Sequence, residues 1–195
     1  MLSMVLEIID KVTLLGSCCV GKTSVFDILK QDPIFEGWSI QEFISSKLIR
    51  EDKISVDRNF QSIKNQSLIF DEYVKILDIS KCLSDRSIID VFTMTRTLDQ
   101  NIDVKIELNR ERRILAQNID RIGKIFYFPI YWDSVDDGER LFDEERRKRW
   151  DLEIQNILYH SLVNYTIIPN CSVTDRVKFI KKILMKDCKL KKVLN

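Results

Sequence analysis

The chain has 195 residues, of which 45% are hydrophobic and 31% charged, so it is long enough and apolar enough to bury a core of its own. Its net charge of +1 argues against a protein that coats nucleic acid, which would carry a strong basic excess. Five cysteines without a C-x-x-C pair, beside a single histidine, argue against a disulfide framework or a zinc site.

The sequence also lacks the marks of a membrane or secreted protein. No apolar stretch approaches the roughly 18 residues that predict a membrane span. The first ten residues carry Glu7 and Asp10 and do not resemble a secretory signal. We therefore expect a cytoplasmic protein with no membrane partner.

Strands and helices are predicted to alternate along the chain. Strands are predicted at residues 11–15, 38–43, 79–84, 124–132 and 165–168. Helices are predicted at residues 22–30, 60–77, 88–98, 104–119, 143–162 and 175–193, with a helical turn at 45–51 and a polar loop at 133–142. This order predicts an α/β fold, in one domain over residues 1–195, with a central parallel sheet flanked by helices.

The first strand runs into a complete phosphate-binding loop. The segment from Gly16 to Thr23 matches G-x-x-x-x-G-K-[ST], between a strand and a helix as a P-loop requires. Glycines let the backbone turn its amides toward phosphate, and the helix N-terminus adds its dipole. The nucleotide-binding residues are predicted to be Gly16, Ser17, Cys18, Cys19, Val20, Gly21, Lys22, Thr23 and Ser24.

This motif indicates ATP and Mg²⁺ as cofactors. Lys22 is expected to reach the β- and γ-phosphates, and the Thr23 hydroxyl to bind Mg²⁺. Cys18 and Cys19 are interpreted as small loop residues, since nothing marks either thiol as a nucleophile.

Two other classes of P-loop protein fit the sequence less well. A GTPase would need Asn-Lys-x-Asp, which is absent, and Asp120-Arg-Ile-Gly123 precedes a predicted strand instead of following one. A motor-type ATPase would need a strand ending in Asp-Glu. Asp71 and Glu72 have an apolar run before them, but they fall inside a segment of helical period.

A small-molecule kinase fits better. Asp85-Arg86-Ser87 resembles the D/E-R-S element of deoxynucleoside kinases and the D-R element of thymidylate kinases. There the acid helps to hold Mg²⁺ and the arginine touches the phosphoryl acceptor. The alternative is that Ser84 or Asp85 simply caps the following helix.

The resemblance extends over about residues 11–185. The chain resembles the ATPase/kinase family that includes the ribosylnicotinamide kinase domain of NadR and many phage-encoded proteins. The segments that carry it, besides the P-loop, are residues 38–43, 59–61, 85–90 and 136–140. It implies a P-loop NTPase fold, and it allows a phage or viral origin with action in the host cytoplasm.

The resemblance also suggests how an acceptor would be held. Glu42 matches the carboxylate that takes the proton of the acceptor hydroxyl, with an ordinary surface acid as the alternative. Where the family commonly has arginine three residues later, this chain has Ser45. Gln61 resembles a base-reading glutamine, with an exposed helix residue as the alternative, and Arg86 would contact the acceptor.

A dense charge run begins the predicted helix at residues 143–162. Phosphoryl transfer needs positive charge around the transferring group, so we predict a lid over about residues 133–150. Its candidate arginines are Arg140, Arg146 and Arg147, and Arg140 is also predicted to bind the substrate. The alternative is a solvated helix face.

These features predict an ATP-dependent kinase acting on a small nucleotide-like acceptor. Lys22, Glu42, Asp85, Arg86, Arg146 and Arg147 form the predicted catalytic set, with Thr23 and Asp85 at the metal. The alternatives are a polynucleotide kinase, which would make nucleic acid a substrate, and a regulatory NTPase that makes no phosphorylated product. The sequence does not predict an oligomeric state.

Overall fold

The computed structural model describes residues 9–54, 62–133 and 144–192. Within these ranges, five strands form one parallel sheet in the order β2-β3-β1-β4-β5. The strands are β1 (Lys11–Leu15), β2 (Ser39–Gln41), β3 (Cys82–Asp85), β4 (Lys124–Tyr127) and β5 (Tyr165–Ile167). The α-helices are α1 (Lys22–Leu29), α2 (Ile44–Arg50), α3 (Ile63–Ile76), α4 (Ile88–Arg96), α5 (Ile102–Asn118), α6 (Glu144–His160) and α7 (Val173–Lys192).

The sheet separates two hydrophobic cores. Val12 and Leu14 of β1 pack with α1 and α7, whereas Leu15 faces the core built with α3, α4, α5 and α6. This alternation follows from the two-residue period of a strand, and burial on both faces is what a parallel sheet requires. The predicted α/β fold with a central parallel sheet flanked by helices is confirmed.

The register of β1 and β3 brings the residues that follow the two strands to the same edge of the sheet. Leu14 pairs with Asp85, and the Arg86 N–H donates to the Leu14 carbonyl at 3.0 Å. The residues that follow these two strands therefore meet at the carboxyl edge of the sheet, where α/β proteins bind ligands.

Several boundaries differ from the prediction. β2 and β4 are shorter than predicted, and β3 ends at Asp85. The alternative in which Ser84 or Asp85 caps α4 is wrong, because Ser87 is the cap. Its hydroxyl accepts from the Ile89 N–H at 3.1 Å, and Asp90 accepts from the Ser87 N–H at 2.8 Å.

The segments that resembled other P-loop classes are placed as expected. Asp71 and Glu72 lie within helix α3, so they do not end a strand. Asp120 to Gly123 come before β4. Among the described residues, no helix combines the length and the apolar character needed to cross a membrane.

A buried carboxyl group lies between α4 and α5. Glu111 has no exposed surface, and burial raises its pKa to about 8. The Thr95 hydroxyl lies 3.2 Å from Glu111 Oε1 and 3.0 Å from the Val91 carbonyl oxygen. Its single proton serves only one of these acceptors, so a protonated Glu111 can donate to Thr95 while Thr95 donates to Val91.

Glu111→Gln should remove a pH dependence of stability. Between an unfolded pKa of 4.5 and a folded pKa of about 8, the native state keeps a proton that the unfolded state loses, so the free energy of unfolding falls as pH rises. Glutamine has no proton to lose, so its stability lacks this pH dependence. From pH 5 to pH 8, the free energy of unfolding of the variant should rise relative to that of wild type by at least about 1 kcal/mol. Urea unfolding at both values measures this difference. If variant and wild type differ in free energy of unfolding by the same amount at both pH values, the prediction is wrong. Buried Asp90 also titrates in this range, but it does so in both proteins, so its contribution cancels from the difference.

Candidate functional site

The P-loop wraps around the carboxyl end of β1. Gly16 has φ +151°, and a Cβ there would lie 2.5 Å from the Phe128 carbonyl oxygen, so only glycine fits. Gly21, with φ +81°, is the residue from which α1 begins. Thr23 and Ser24 are exposed in the first turn of α1, where free backbone amides and the helix dipole favour phosphate.

Lys22 is folded back onto the loop. Only 4% of the residue is exposed, and its ammonium group donates to the carbonyl oxygens of Gly16, at 2.7 Å, and Ser17. Burial, followed by repulsion from Arg86, lowers its pKa to about 8. A bound phosphate chain would favour the charged form of this lysine. Its phosphate-binding role stays a prediction.

The two cysteines of the loop are partly buried thiols. Burial, and then the neighbouring Cys19, raise the pKa of Cys18. A raised pKa keeps the group as a thiol, which is a poor nucleophile. This fits the interpretation of Cys18 as a loop-forming residue and not a nucleophile.

Asp85 offers a place for a metal ion. The residue is 3% exposed, and its Oδ1 has no hydrogen-bond partner among the described residues. A buried carboxylate oxygen normally has a partner, so a cation or its bound water fits this position. In the described part of the chain, no group of three or more His, Cys, Asp or Glu surrounds a common metal position. Mg²⁺ is commonly held in this way, by one or two protein ligands together with substrate phosphates.

Arg86 lies beside the P-loop in a tightly held position. Its φ is +84°, a strained value for a residue other than glycine and one that often marks functional sites. The guanidinium carbon lies 4.7 Å from the ring centre of Phe43 and 4.8 Å from that of Trp150. Nη1 is 3.4 Å from the Gly16 carbonyl oxygen and 3.6 Å from Asp90 Oδ1.

Asp90 links this arginine to the loop and was not among the predicted site residues. Its Oδ1 accepts the Gly16 N–H at 3.3 Å, and burial raises its pKa to about 6. The signal that could have found it is the spacing Ser87-x-x-Asp90, which places an acid in the first turn of a helix.

The predicted acceptor residues are only partly described. Glu42 directly follows β2, is exposed, and accepts from Lys30 at 2.9 Å. Ser45, at the position where arginine is common in the family, is buried. Gln61 lies outside the described residues, so its role stays a prediction.

The two described lid candidates have different surroundings. Arg147 is 2% exposed and donates to the carbonyl oxygens of Cys18, at 3.0 Å, and Cys19, at 3.5 Å. Arg146 points to another part of the molecule and donates to the Thr97 hydroxyl at 3.1 Å. Arg140 and residues 134–143 of the predicted lid lie outside the described residues.

A second buried arginine reaches the loop from α7. Arg176, 2% exposed, donates to the Val20 carbonyl at 3.1 Å and to the Cys171 carbonyl at 3.0 Å. Its guanidinium carbon lies 4.9 Å from the ring centre of Trp132. Nothing in the basic sequence of α7 distinguishes this residue from its neighbours, so sequence reasoning missed it.

Comparison with protein families gives one match that spans most of the chain. A family model described as an AAA domain, AAA_28, matches residues 11–176. No curated protein matches the chain in sequence.

Solved structures with a similar fold include two small-molecule kinases and NadR. Deoxyadenosine kinase from M. mycoides with bound dCTP is 13% identical with a TM-score of 0.65, over 90% of this chain and 99% of that one. Shikimate kinase from Acinetobacter baumannii in complex with shikimate is 16% identical with a TM-score of 0.57, over 95% and 97%. NadR in complex with NAD and AMP-PNP is 16% identical with a TM-score of 0.66, over 90% of this chain, which spans about half (49%) of NadR.

Proposed function

The chain belongs to the AAA_28 family of AAA domains, and on this premise we propose that it is an ATP-dependent kinase that transfers the γ-phosphoryl group to a nucleoside, a nucleotide or a similar small acceptor. The observation that carries the proposal is the position of Asp85 and Arg86 at the end of β3, directly beside the P-loop that follows β1. Such an acid and arginine suit a site where a phosphate chain, a cation and an acceptor meet.

The donor is ATP, held by the P-loop. Loop amides from Gly16 to Gly21 surround the β-phosphate, and Lys22 exchanges its carbonyl partners for oxygens of the β- and γ-phosphates. Ser24 lies in the first turn of α1, within the same anion-binding helix terminus. The bound nucleotides of the kinase neighbours support this assignment.

The Thr23 hydroxyl and Asp85, whose Oδ1 has no partner among the described residues, would hold Mg²⁺, which would neutralise charge on the phosphates. Arg86 presents its guanidinium group to the acceptor side, between Phe43 and Trp150. Arg140 and Arg146 are the proposed sources of further positive charge from the lid, and Arg146 would have to release the Thr97 hydroxyl to supply it.

The acceptor reacts in line with the γ-phosphorus. If it is a hydroxyl, Glu42 takes its proton as the oxygen–phosphorus bond forms and the bond to the β-phosphate oxygen breaks, leaving ADP. If it is a phosphate oxygen, no base is needed. Gln61 is proposed to contact a base-like part of the acceptor. We place the reaction in the cytoplasm.

Product analysis with γ-labelled ATP tests the proposal. The protein should label one acceptor in a panel of nucleosides, nucleotides, NR and shikimate. NR is the ligand of a second solved NadR structure, and shikimate is the ligand of the shikimate kinase. DNA ends belong in the panel because a labelled end would indicate a polynucleotide kinase instead. Formation of ADP and free phosphate alone, with every acceptor present, would favour the regulatory NTPase. A reaction without acceptor measures background hydrolysis.

A further inference from the structure

Buried cations bind five consecutive backbone carbonyls of the P-loop, from Gly16 to Val20. The six contacts on these carbonyls join Gly16 with Lys22 (2.7 Å) and Arg86 (3.4 Å), Ser17 with Lys22, Cys18 with Arg147 (3.0 Å), Cys19 with Arg147 (3.5 Å), and Val20 with Arg176 (3.1 Å). Each of these four cationic residues is at most 9% exposed.

This arrangement has a direct consequence for phosphate binding. A peptide unit is planar, so a carbonyl that points outward turns the N–H of the next residue inward. Inward amides are what a P-loop offers to phosphate. An outward carbonyl that is buried needs a donor, and a cationic donor makes a stronger bond than a neutral one.

Arg147 and Arg176 are themselves fixed from outside the loop. Arg147 Nη1 lies 3.0 and 3.1 Å from the two carboxylate oxygens of Glu144, and both its terminal nitrogens lie 3.2 Å from the Trp132 carbonyl oxygen. Arg176 is held by the Cys171 carbonyl and by the Trp132 ring. Trp132 thus connects the two arginines, and the loop lies against one continuous support.

We propose that Arg147 and Arg176 are positioning residues, which hold the carbonyls of Cys18, Cys19 and Val20 outward and so keep the loop amides turned toward the phosphate chain. This inference rests on the proposed nucleotide-binding function. It gives Arg147 a different role from the predicted one, because its guanidinium nitrogens bind the back of the loop and the residue is 2% exposed.

The test compares the affinities for ADP and for the unreactive analogue AMP-PNP by calorimetry. Both nucleotides place a β-phosphate in the loop, and only AMP-PNP carries a γ-phosphate. Arg147→Ala and Arg176→Ala should each weaken both nucleotides by the same factor, at least about tenfold, as expected for loss of a hydrogen bond from a charged group. Amides 16–21 should also exchange hydrogen faster in the nucleotide-free variants.

Matched controls come from exposed cations on the same helices. Arg149→Ala on α6 and Lys182→Ala on α7 should bind both nucleotides like wild type. Arg147→Lys provides a second test in case the alanine variant does not fold. It keeps the charge, but one ammonium group cannot replace all the bonds of the guanidinium, so its affinity should fall between those of wild type and Arg147→Ala.

Three outcomes would overturn the proposal. If Arg147→Ala lost affinity for AMP-PNP but kept its affinity for ADP, Arg147 would contact the γ-phosphate. Wild-type affinity in Arg147→Lys beside a loss in Arg147→Ala would show that charge alone suffices. Unchanged affinity for both nucleotides in both alanine variants would show that the loop needs no support. If the wild-type protein bound neither nucleotide, the proposed function would be wrong, and the positioning role of Arg147 and Arg176 would fall with it.

Discussion

Lys22→Ala is expected to lower phosphoryl transfer by about 10³-fold while the protein stays folded. The lysine is the one loop side chain whose charge can follow the γ-phosphoryl group as it moves, and loss of a single such donor costs about 10²–10³ in rate at other sites where charge develops.

Stability should not fall with this change. A buried ammonium group is costly, as the lowering of its pKa to about 8 by burial indicates, and alanine relieves that cost while losing two bonds to carbonyl oxygens. Thermal unfolding of the variant should therefore match wild type within a few degrees.

Turnover of the labelled acceptor, measured at saturating ATP, is the direct readout for Lys22→Ala. Lys105→Ala, an exposed lysine on α5, serves as the matched control and should turn over normally. Comparable turnover in Lys22→Ala, in a protein of matched stability, would contradict the kinase proposal at its best-supported residue.

The phosphate loop and the order of elements follow closely from the sequence. They are predictable because they depend on local sequence patterns. These patterns are the two-residue periodicity of β1, the helical periodicity of α3, and a glycine motif whose spacing is specific to phosphate-binding loops. Boundaries were less predictable. The prediction ended the third strand at Ser84, whereas Asp85 still pairs with Leu14, because the neighbouring strand determines where pairing stops.

Contacts distant in the chain were not predictable. Arg147 binds carbonyls 128 and 129 residues away, and Arg176 binds one 156 residues away. A charge run such as that around Arg147 usually forms a solvated helix face, and the sequence holds no sign that one member turns inward. Only the docking of α6 and α7 beside β1 decides which arginine is buried.

Glu42→Gln tests the chemistry itself and is expected to have the second-largest effect. General-base catalysis contributes about 10²–10⁴-fold, and glutamine keeps the size of the side chain but cannot accept a proton. Glu42 lies one residue beyond β2, at the same edge of the sheet as Asp85, and its exposed carboxylate accepts from Lys30 in the described structure. To take a proton from an acceptor, the Glu42 carboxylate would have to break its hydrogen bond with Lys30.

The chemical identity of the acceptor decides the size of the effect. With a hydroxyl acceptor, the single-turnover rate should fall by about 10²–10⁴-fold while ATP affinity stays within about twofold, because a base acts only as the new bond forms. Glu36→Gln, another exposed acid nearby, is the matched control and should leave both quantities unchanged. An unchanged single-turnover rate with a hydroxyl acceptor would remove Glu42 from the catalytic set. The same result with a phosphate acceptor is expected, because a phosphate oxygen is already deprotonated and attacks without a base.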